Sequence, residues 1–438
     1  MTFKGSPARG LTGATLGFFF GFAAVALFGA TAQKFSDVLR LNGVMIGFLV
    51  AIPSLMGSLL RIPFAAWVDS TGGRKPFLVL LCLSVVGMLG LTLTVSVFSA
   101  RLNPASFPLV LALGALCGCG IATFSVGISQ VSYWTPRSSQ GTALGIYGGV
   151  GNLAPGVFTL ILPFTLSAIG LGGAYGAWLA MLVVGTVLYL VLGVNSPYFQ
   201  EKARGKTPEQ ARAAAAAVGQ EMFPSGNAGQ SLLASAREWK TWLLVIVYFS
   251  TFGGFIAMTA WLPVYWRTHL GVSPILAGVL AAVYSLSTSA MRIVGGSISD
   301  RFGGERTAAA SLGIMAVGAV MMIFTRQVHS IGLPLAAEIV MAVGMGITNA
   351  AVFKLVPKAV PHAVGGASGW VGGLGAFGGF AIPPILSLFV VAGGGAGYAS
   401  GFAVFIGLAL VSLALVVVLG RAPAKGAATG LSVGRPRT

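Results

Sequence analysis

The chain has 438 residues, of which 56% are hydrophobic and only 8% are charged. Soluble globular domains contain about 25% charged residues, so this composition excludes a soluble globular protein and predicts a membrane protein. A formal net charge of +17 would suggest a nucleic-acid partner in a soluble protein. Here the basic residues lie between long apolar segments without a nucleic-acid-binding motif, so we expect no such partner.

Long apolar segments recur along the whole chain. About 18 to 20 apolar residues are enough for a transmembrane helix. Twelve such spans are predicted, at residues 11–33, 43–67, 76–98, 107–131, 140–166, 172–193, 241–266, 274–297, 308–326, 333–354, 364–391 and 398–419. The first follows a basic N-terminus, but its length and the spans after it indicate a retained helix rather than a cleaved signal peptide.

The basic residues are distributed unequally between the two sides of the predicted membrane. Of the 26 Lys and Arg residues, 19 fall at the termini and in the connections after even-numbered spans, and five fall on the other side. Cytoplasmic segments carry the excess of positive charge. We therefore expect a multi-pass protein of the cytoplasmic membrane with both termini in the cytoplasm.

A polar segment at residues 194–240 divides the spans into six and six. We predict an N-terminal half (1–193), a cytoplasmic linker (194–240), and a C-terminal half with a cytoplasmic tail (241–438). Within the linker, the stretch TPEQARAAAAAVGQEMF (207–223) begins with Thr207, Pro208 and Gln210. These residues form the sequence pattern of a capping box with proline at the first helical position, so a short helix is predicted there.

The two halves contain matching motifs. Arg61 in SLLRIPFAAWVD precedes Asp69 by eight residues, and Arg292 in SAMRIVGGSISD precedes Asp300 by eight residues. The stretches GTALGIYGGVGN and GGASGWVGGLGA also match, with glycines at 141, 145, 148, 149 and 151 and at 365, 369, 372, 373 and 375. Since these motifs occupy equivalent spans, the halves are predicted to be parallel repeats.

The two matched arginines are predicted to lie near the bilayer midplane. Eight helical residues cover about 12 Å, and the half-thickness of the hydrocarbon core is about 15 Å. A central arginine costs about 2.5–3.5 kcal/mol, so each needs a partner. Of the nine acidic residues, only Glu338 falls within a span, near its outer end. An anionic substrate is the simplest partner; the alternatives are snorkelling to the surface and capping of backbone carbonyls.

The residue type narrows the class of anion. The planar guanidinium fork binds planar oxyanions through two parallel hydrogen bonds, which an ammonium group does not. Nitrate, nitrite or a small carboxylate fits two such forks. Without a metal-ligand cluster, a nucleophile–base set or a phosphate-binding loop in the sequence, we expect neither a catalytic site, a metal nor a cofactor.

These motifs together resemble a known family. The D-x-x-G-G-R-K turn from Asp69 through Arg74, and its relative containing Asp300 and Arg306, resemble the loop motif of the major facilitator superfamily. The paired glycine signatures beside the two arginines resemble those of its nitrate/nitrite porters. The resemblance implies an all-α membrane protein with 12 transmembrane helices in two six-helix halves related by pseudo-two-fold symmetry. It also implies that the two loops act in gating and the glycines in helix packing and rocking.

The resemblance further implies roles for individual side chains. Two arginines hold the anion, two aromatic rings stack on its faces, and a hydroxyl and an amide lie beside it; the corresponding residues here are Arg61, Arg292, Phe124, Phe252, Tyr248 and Asn152. Where some family members have an asparagine in the second signature, this chain has Ala376. A polar contact from the eleventh span is therefore not implied.

The expected function is transport of nitrate or nitrite by alternating access, as a monomer surrounded by membrane lipid. Coupling to protons is one mode, with Glu338 as a candidate proton-coupling group, and nitrate/nitrite antiport is the alternative. A porter for a small carboxylate would keep the arginines, and a receptor that binds nitrate without moving it is the alternative of another class.

Overall fold

The computed structural model describes residues 3–136, 140–224, 228–327, 330–360 and 364–421. Helices make up almost all of these segments, and no strand occurs within them. The predicted cytoplasmic tail, residues 422–438, lies outside the described residues.

Eleven helical segments within the described residues are long and apolar enough to cross a membrane. The fifth, Ala143–Leu192, has 50 residues, which at 1.5 Å per residue is about 75 Å, more than twice the hydrocarbon thickness. Its helix breaks at Gly170, where φ is 69° and ψ is −178°, a conformation that favours glycine. This segment is therefore the fifth and sixth spans, and the prediction of twelve spans is confirmed.

The spans, numbered in chain order, follow the predicted sequence of apolar segments. Their bounds are Pro7–Ala26, Gly43–Thr71, Arg74–Ser96, Pro104–Trp134, the two parts of Ala143–Leu192, Trp239–Thr268, Pro274–Phe302, Gly304–Gln327, Gly332–Val356, Gly366–Ser400 and Ala403–Arg421. Spans 1–6 form the N-terminal half and spans 7–12 the C-terminal half.

Several spans depart from regular α-helix near the middle of the bundle. Span 2 is interrupted by a turn at Leu60, between the helices Gly43–Leu59 and Arg61–Thr71. Span 4 has a 3₁₀ turn at Cys119–Ala122, just before Phe124, and span 7 has a π-helical turn at Phe249–Gly253. Such irregular turns inside helices often occur at functional sites, and here they carry residues of the predicted anion site.

The described residues of the linker form three helices, Pro197–Ala203, Pro208–Ala216 and Ala228–Ala236. Thr207 and Gln210 form the reciprocal hydrogen bonds of a capping box. That helix ends at Ala216 rather than Phe223 because the chain turns at Gly219, where φ is +87°. We call the end of the bundle that contacts this segment the linker face, and the other end the opposite face.

The linker contacts both halves. Tyr198, Phe199, Ala211 and Ala215 form a small core against Tyr133 of span 4. The helix Ala228–Ala236 packs on span 11, where the indole of Trp370 donates a hydrogen bond to the carbonyl of Leu232 at 3.0 Å. The linker face is therefore bridged by one chain segment bound to both halves.

Candidate anion-binding site

Arg61 and Arg292 occupy equivalent positions in the fold. Spans 2 and 8 each have 29 residues, and each arginine is the nineteenth residue of its span. Each therefore lies about 6 Å from the middle of its helix, toward the linker face. Arg61 is fully buried and Arg292 is partly buried. Among the described residues, neither arginine forms an ion pair with a carboxylate.

Both guanidinium groups lie near the same two phenylalanine rings. The Cζ atom of Arg61 lies 4.9 Å from the ring centroid of Phe124 and 5.3 Å from that of Phe252. The corresponding distances for Arg292 are 5.6 and 5.2 Å. These are cation–π distances. Four of the six predicted binding residues thus form a single cluster between the halves.

The two rings contact one another directly. Their centroids are 5.8 Å apart, with an interplanar angle of 27°. A flat ion sandwiched between them would need two van der Waals contacts, or a separation of about 7 Å. The rings must therefore move apart by about 1 Å before both can stack on one ion. The arrangement implied by the resemblance requires a different ring spacing from the one in this conformation.

Tyr248 and Asn152 complete the set of predicted binding residues. The Tyr248 ring stacks on Phe252 at 4.7 Å, and its hydroxyl lies toward Arg292 without completing a hydrogen bond. Asn152 is buried, and its Oδ1 atom has no partner among the described residues. Unsatisfied buried polar atoms carry a desolvation cost. The Nε of Arg61 and one terminal nitrogen of Arg292 are likewise unsatisfied within the described residues.

Hydrogen bonds across the boundary between the halves flank this cluster. Nη1 of Arg61 donates to the carbonyl oxygen of Gly372 at 2.8 Å. The hydroxyl of Ser289, which lies one helical turn before Arg292, donates to the carbonyl oxygen of Asn152 at 2.9 Å. Nη2 of Arg61 donates to the carbonyl oxygen of Ile121 in its own half at 3.5 Å. Carbonyl capping, one of the alternatives raised from the sequence, thus occurs for both terminal nitrogens of Arg61.

Two aromatic residues at the site escaped prediction. The ring of Phe353 in span 10 lies 5.9 Å from the Arg292 guanidinium and packs edge-on against Tyr248 at 5.1 Å. The Tyr147 hydroxyl donates to the carbonyls of Thr123 and Phe124 at 2.9 and 3.0 Å, which stabilises the turn that carries Phe124. The repeat could have revealed Phe353. Phe124 lies in the fourth span of the first half, and Phe353 is an aromatic residue in the fourth span of the second half.

The signature glycines form symmetric pairs of contacts. A Cβ atom on Gly149 would lie 3.0 Å from Ile293, and one on Gly373 would lie 2.8 Å from Ile62. Both contacts cross between the halves, and each isoleucine follows one of the site arginines. Since Gly149 matches Gly373 and Ile62 matches Ile293 in the repeat, the same close approach occurs twice.

A second pair of signature glycines packs within each half. A Cβ on Gly151 would lie 1.9 Å from the ring of Phe18 in span 1, and one on Gly375 would lie 2.7 Å from Tyr248 in span 7. Spans 1 and 7 are equivalent in the repeat, so these glycines allow equivalent helices to approach the signature spans.

The remaining signature glycines make fewer contacts. Gly145 has no neighbour within 4 Å, and the nearest neighbours of Gly148, Gly369 and Gly372 are Phe124, Leu232 and Ser125 at 3.9, 3.4 and 3.6 Å. Gly141 and Gly365 lie in helices, but their surroundings lie outside the described part of the structure.

The two predicted gating loops have different partners. Asp69 accepts a hydrogen bond from the hydroxyl of Tyr133 at 2.5 Å, and the Arg74 guanidinium donates to the carbonyl of Leu190. In the second half, Asp300 forms an ion pair with Lys354 at 2.5 Å. Arg306 is exposed.

Glu338 lies away from the arginine cluster. It is fully buried in span 10, 15 residues before Phe353, which corresponds to about 22 Å along the helix. Its Oε2 atom accepts a hydrogen bond from the indole of Trp266 at 3.0 Å. The structure therefore separates the candidate proton-coupling group from the candidate anion site.

Comparison with protein families and known proteins identifies relatives over most of the chain. Residues 14–383 match the family model described as Major Facilitator Superfamily. A probable nitrate/nitrite antiporter NarK1 of Thermus thermophilus is 30% identical over 394 residues, covering 85% of this chain and 83% of that protein. A nitrite extrusion protein of Bacillus subtilis is 28% identical, with 85% of each chain covered. A probable nitrate transporter NarT of Staphylococcus epidermidis is 27% identical, covering 87% and 89%.

A solved structure with the same fold is more distant in sequence than these relatives. A partially occluded, inward-open structure of the xylose transporter XylE from E. coli has a TM-score of 0.70 and 14% identity, and the match covers 94% of this chain and 99% of that one. At this identity the likeness concerns the fold alone.

Proposed function

The chain belongs to the nitrate/nitrite porter family of the major facilitator superfamily, and from that premise we propose that it carries nitrate, nitrite or both across the cytoplasmic membrane. It is a multi-pass membrane transporter and not an enzyme. The names of its curated relatives favour these anions. Proton-coupled symport is the proposed mode.

The observation that carries the proposal is the pair of arginines that share Phe124 and Phe252. Both guanidinium groups lie within 5.6 Å of both ring centroids, without an ion-paired carboxylate among the described residues. Two positive forks replace the hydration of a planar anion. Flat aromatic walls favour a flat ion over a tetrahedral one of the same charge. The Tyr248 hydroxyl supplies one further donor, and the Asn152 amide supplies donors of its own.

Transport requires the site to open to each side in turn. The halves contact one another on both sides of the arginines: Ile62 approaches Gly373 toward the linker face, and Pro163 approaches Gly278 toward the opposite face. We propose that this conformation, with the halves in contact on both sides of the site, is occluded. We propose that the anion displaces the Gly372 carbonyl from Arg61 and that the halves then rock about the site.

The excess of basic residues orients the protein in the membrane. The linker face holds most of the Lys and Arg residues, and such residues are retained in the cytoplasm. We propose that the linker face and both termini are cytoplasmic, and that the protein works as a monomer in the lipid bilayer. A thiol-reactive, membrane-impermeant label applied to single cysteines in the linker of intact and of lysed cells tests this orientation.

Nitrate/nitrite antiport is the second candidate. It is favoured by the separation of Glu338 from the arginines, because exchange of one anion for another needs no titrating group at the site. Uptake of labelled nitrate into proteoliposomes distinguishes the modes. Symport predicts uptake into empty vesicles driven by an acidic outside, and antiport predicts uptake only with preloaded nitrite.

The same assay tests the function itself. Saturable uptake that nitrite competes with and formate does not would support the proposal over a carboxylate porter. Binding of nitrate without any flux, in vesicles where the protein is correctly folded, would point instead to a receptor.

A further inference from the structure

Glu338 has an unusual environment for a carboxyl group. It is fully buried, its Oε2 atom accepts a hydrogen bond from the Trp266 indole, and its Oε1 atom has no partner within the described residues. Transfer of an unpaired carboxylate from water to such a site is strongly unfavourable. The packing of this conformation therefore accommodates the neutral acid and penalises the ionised form.

The elements packed around Glu338 provide no compensating charge. Span 7 contributes Trp266 and Tyr265, and span 8 contributes Tyr284, whose hydroxyl points to the sulfur of Met345 at 2.8 Å. The charged or titratable groups nearest along these elements are Arg267, His269 and Arg326; they lie at the ends of spans 7 and 9. None of them forms an ion pair with Glu338 in the described part of the chain.

Trp266 connects Glu338 to the closed opposite face. It ends a stretch of span 7, Gly254–Trp266, in which every residue is buried. Within this stretch Ala260 contacts the N-terminal half, where a Cβ on Gly29 would lie only 2.8 Å from its carbonyl oxygen. Any opening of the opposite face must move this part of span 7 away from Gly29. Since Trp266 and Glu338 belong to the same half, this movement changes their contact where span 7 shifts relative to span 10.

The same helix also reaches the anion site. Phe252 and Tyr248 lie on span 7, at the π-helical turn Phe249–Gly253 and just before it, and the buried stretch follows directly. A π-helical turn is a local irregularity of the helix, where its two parts can change their relative direction. Span 7 thus joins the anion site to the gate at the opposite face.

We propose that Glu338 is the proton-binding latch of the opposite gate: the gate closes when Glu338 holds a proton, and opening exposes Glu338 so that it releases the proton to the same side. This inference rests on the proposed function and extends it to regulation of the gate. Because the proton returns to the side from which it came, the latch regulates the gate and is separate from any proton that symport would carry with the anion.

The first test measures the state of the gate without any substrate. Val264 lies on span 7, in the groove between the halves that Gly29 and Arg267 also line. A Val264→Cys reporter is built in a background in which the exposed Cys82 is replaced by serine. We expect its labelling from the opposite side to slow at least threefold as that side is acidified from pH 8 to pH 5.5. Adding Glu338→Gln should leave it slow at every pH.

The second test measures nitrate uptake by Glu338→Gln and by a matched control, Asp37→Asn. Asp37 is an exposed acidic residue in the connection between spans 1 and 2. The rate is measured as exchange of labelled for preloaded nitrate with equal pH on both sides of the vesicle, so that no proton gradient drives it. We expect wild type and Asp37→Asn to exchange more slowly as the pH falls, whereas Glu338→Gln exchanges slowly at every pH. Glutamine keeps an acceptor for Trp266, so folding is preserved; melting of the purified protein confirms it.

Two outcomes would overturn the latch. One is an unchanged pH dependence of labelling in Glu338→Gln, and the other is loss of the pH dependence in Asp37→Asn as well. If the protein moves no nitrate while labelling of the Val264→Cys reporter still depends on pH through Glu338, the proposed function fails and the latch stands.

Discussion

Arg61 donates a hydrogen bond of 2.8 Å to the carbonyl oxygen of Gly372 in the other half of the protein. The bond joins a fully buried charge to a glycine of the second signature. Any anion that binds Arg61 through its terminal nitrogens must compete with this carbonyl. Part of the free energy of anion binding is therefore used to break a contact between the halves. This keeps the affinity for the anion modest and couples anion binding to movement of the halves.

The first prediction concerns the geometry of the arginine forks. Replacing Arg61 or Arg292 by lysine keeps the charge but removes the bidentate hydrogen bonds. A hydrogen bond to a charged group contributes about 1.5–3 kcal/mol, so nitrate affinity should fall by about 10- to 100-fold in each variant. Calorimetric titration of the purified protein with nitrate measures this loss.

Arg101→Lys is the matched control for these variants. Arg101 is an exposed arginine in the connection between spans 3 and 4, and its replacement should leave affinity unchanged. Wild-type affinity in Arg61→Lys would contradict the fork argument, since it would mean that charge alone holds the anion.

How far the sequence predicts this site depends on the kind of feature. The positions of Arg61 and Arg292 follow from the repeat and from the cost of burying charge, because both are properties of a single helix in a membrane. The partner of Asp300 is Lys354, which lies in span 10 with no matching residue to reveal it. Such a contact depends on the relative orientation of two helices. Packing across the whole bundle determines this orientation, so the pattern of a single helix does not predict it.

The spacing of the aromatic rings shows a different limit. Phe124 and Phe252 were both expected at the anion on the basis of resemblance, and the structure places both against the two arginines. Their 5.8 Å separation belongs to one conformation of a protein that must adopt several. The sequence pattern predicts which side chains lie together at the site. It does not predict the distance between two rings, because this distance changes as the halves move.

The second prediction concerns selectivity for flat ions. In Phe252→Leu the guanidinium groups lose a ring that holds them in place, and the anion loses one of the two rings expected to stack on it; cation–π contacts, the nearest guide to the size of the loss, contribute about 0.5–2 kcal/mol. Nitrate affinity should therefore fall by about 2- to 30-fold, and the affinity for pyramidal chlorate should fall less. Inhibition of nitrate uptake by chlorate, compared between wild type and variant, measures the change.

Phe324→Leu serves as the control for ring removal, because Phe324 is 69% exposed at the end of span 9. It should keep the wild-type ratio of nitrate to chlorate affinity. Equal losses for both ions in Phe252→Leu would show that the ring contributes attraction without shape selection.

The third prediction concerns the linker and its dependence on pH. Glu201 is buried at the linker face, where hydrogen bonds from Lys206 and Arg204 hold the pKa of its carboxyl below the ordinary value. Since all three residues lie in the linker, a depressed pKa means that these contacts stabilise the folded linker above the pKa of the carboxyl in the unfolded linker. The stabilisation is lost as the pH falls through the lower value of the folded linker.

Glu201→Gln removes that stabilisation at neutral pH. Limited proteolysis should cut the linker of the variant faster than that of wild type at pH 7, and the difference should vanish at acidic pH, where both carry a neutral side chain. Glu209→Gln is the control, because Glu209 is exposed in the same segment. Equal cutting of wild type and Glu201→Gln at pH 7 would refute a role for these ion pairs in holding the linker folded.

The last prediction concerns the two symmetric contacts between glycine and isoleucine. Gly373 faces Ile62 and Gly149 faces Ile293, each across the boundary between the halves. The space between each glycine and its isoleucine is too small for one methyl group. Valine at either glycine would place a branched side chain in that space. Overpacking of this kind costs about 1–3 kcal/mol, and here it falls on the conformation in which the halves meet at the linker face.

Gly373→Val and Gly149→Val should therefore slow transport by about 5- to 100-fold while leaving equilibrium nitrate affinity within about threefold of wild type. A smaller partner restores the space, so Ile62→Ala should recover most of the rate lost in Gly373→Val, and Ile293→Ala that lost in Gly149→Val. Gly145→Val is the control, since Gly145 has no neighbour within 4 Å. If Ile293→Ala rescues Gly373→Val as well as Ile62→Ala does, the defect is not local to the contact, and the glycines act only through general helix packing.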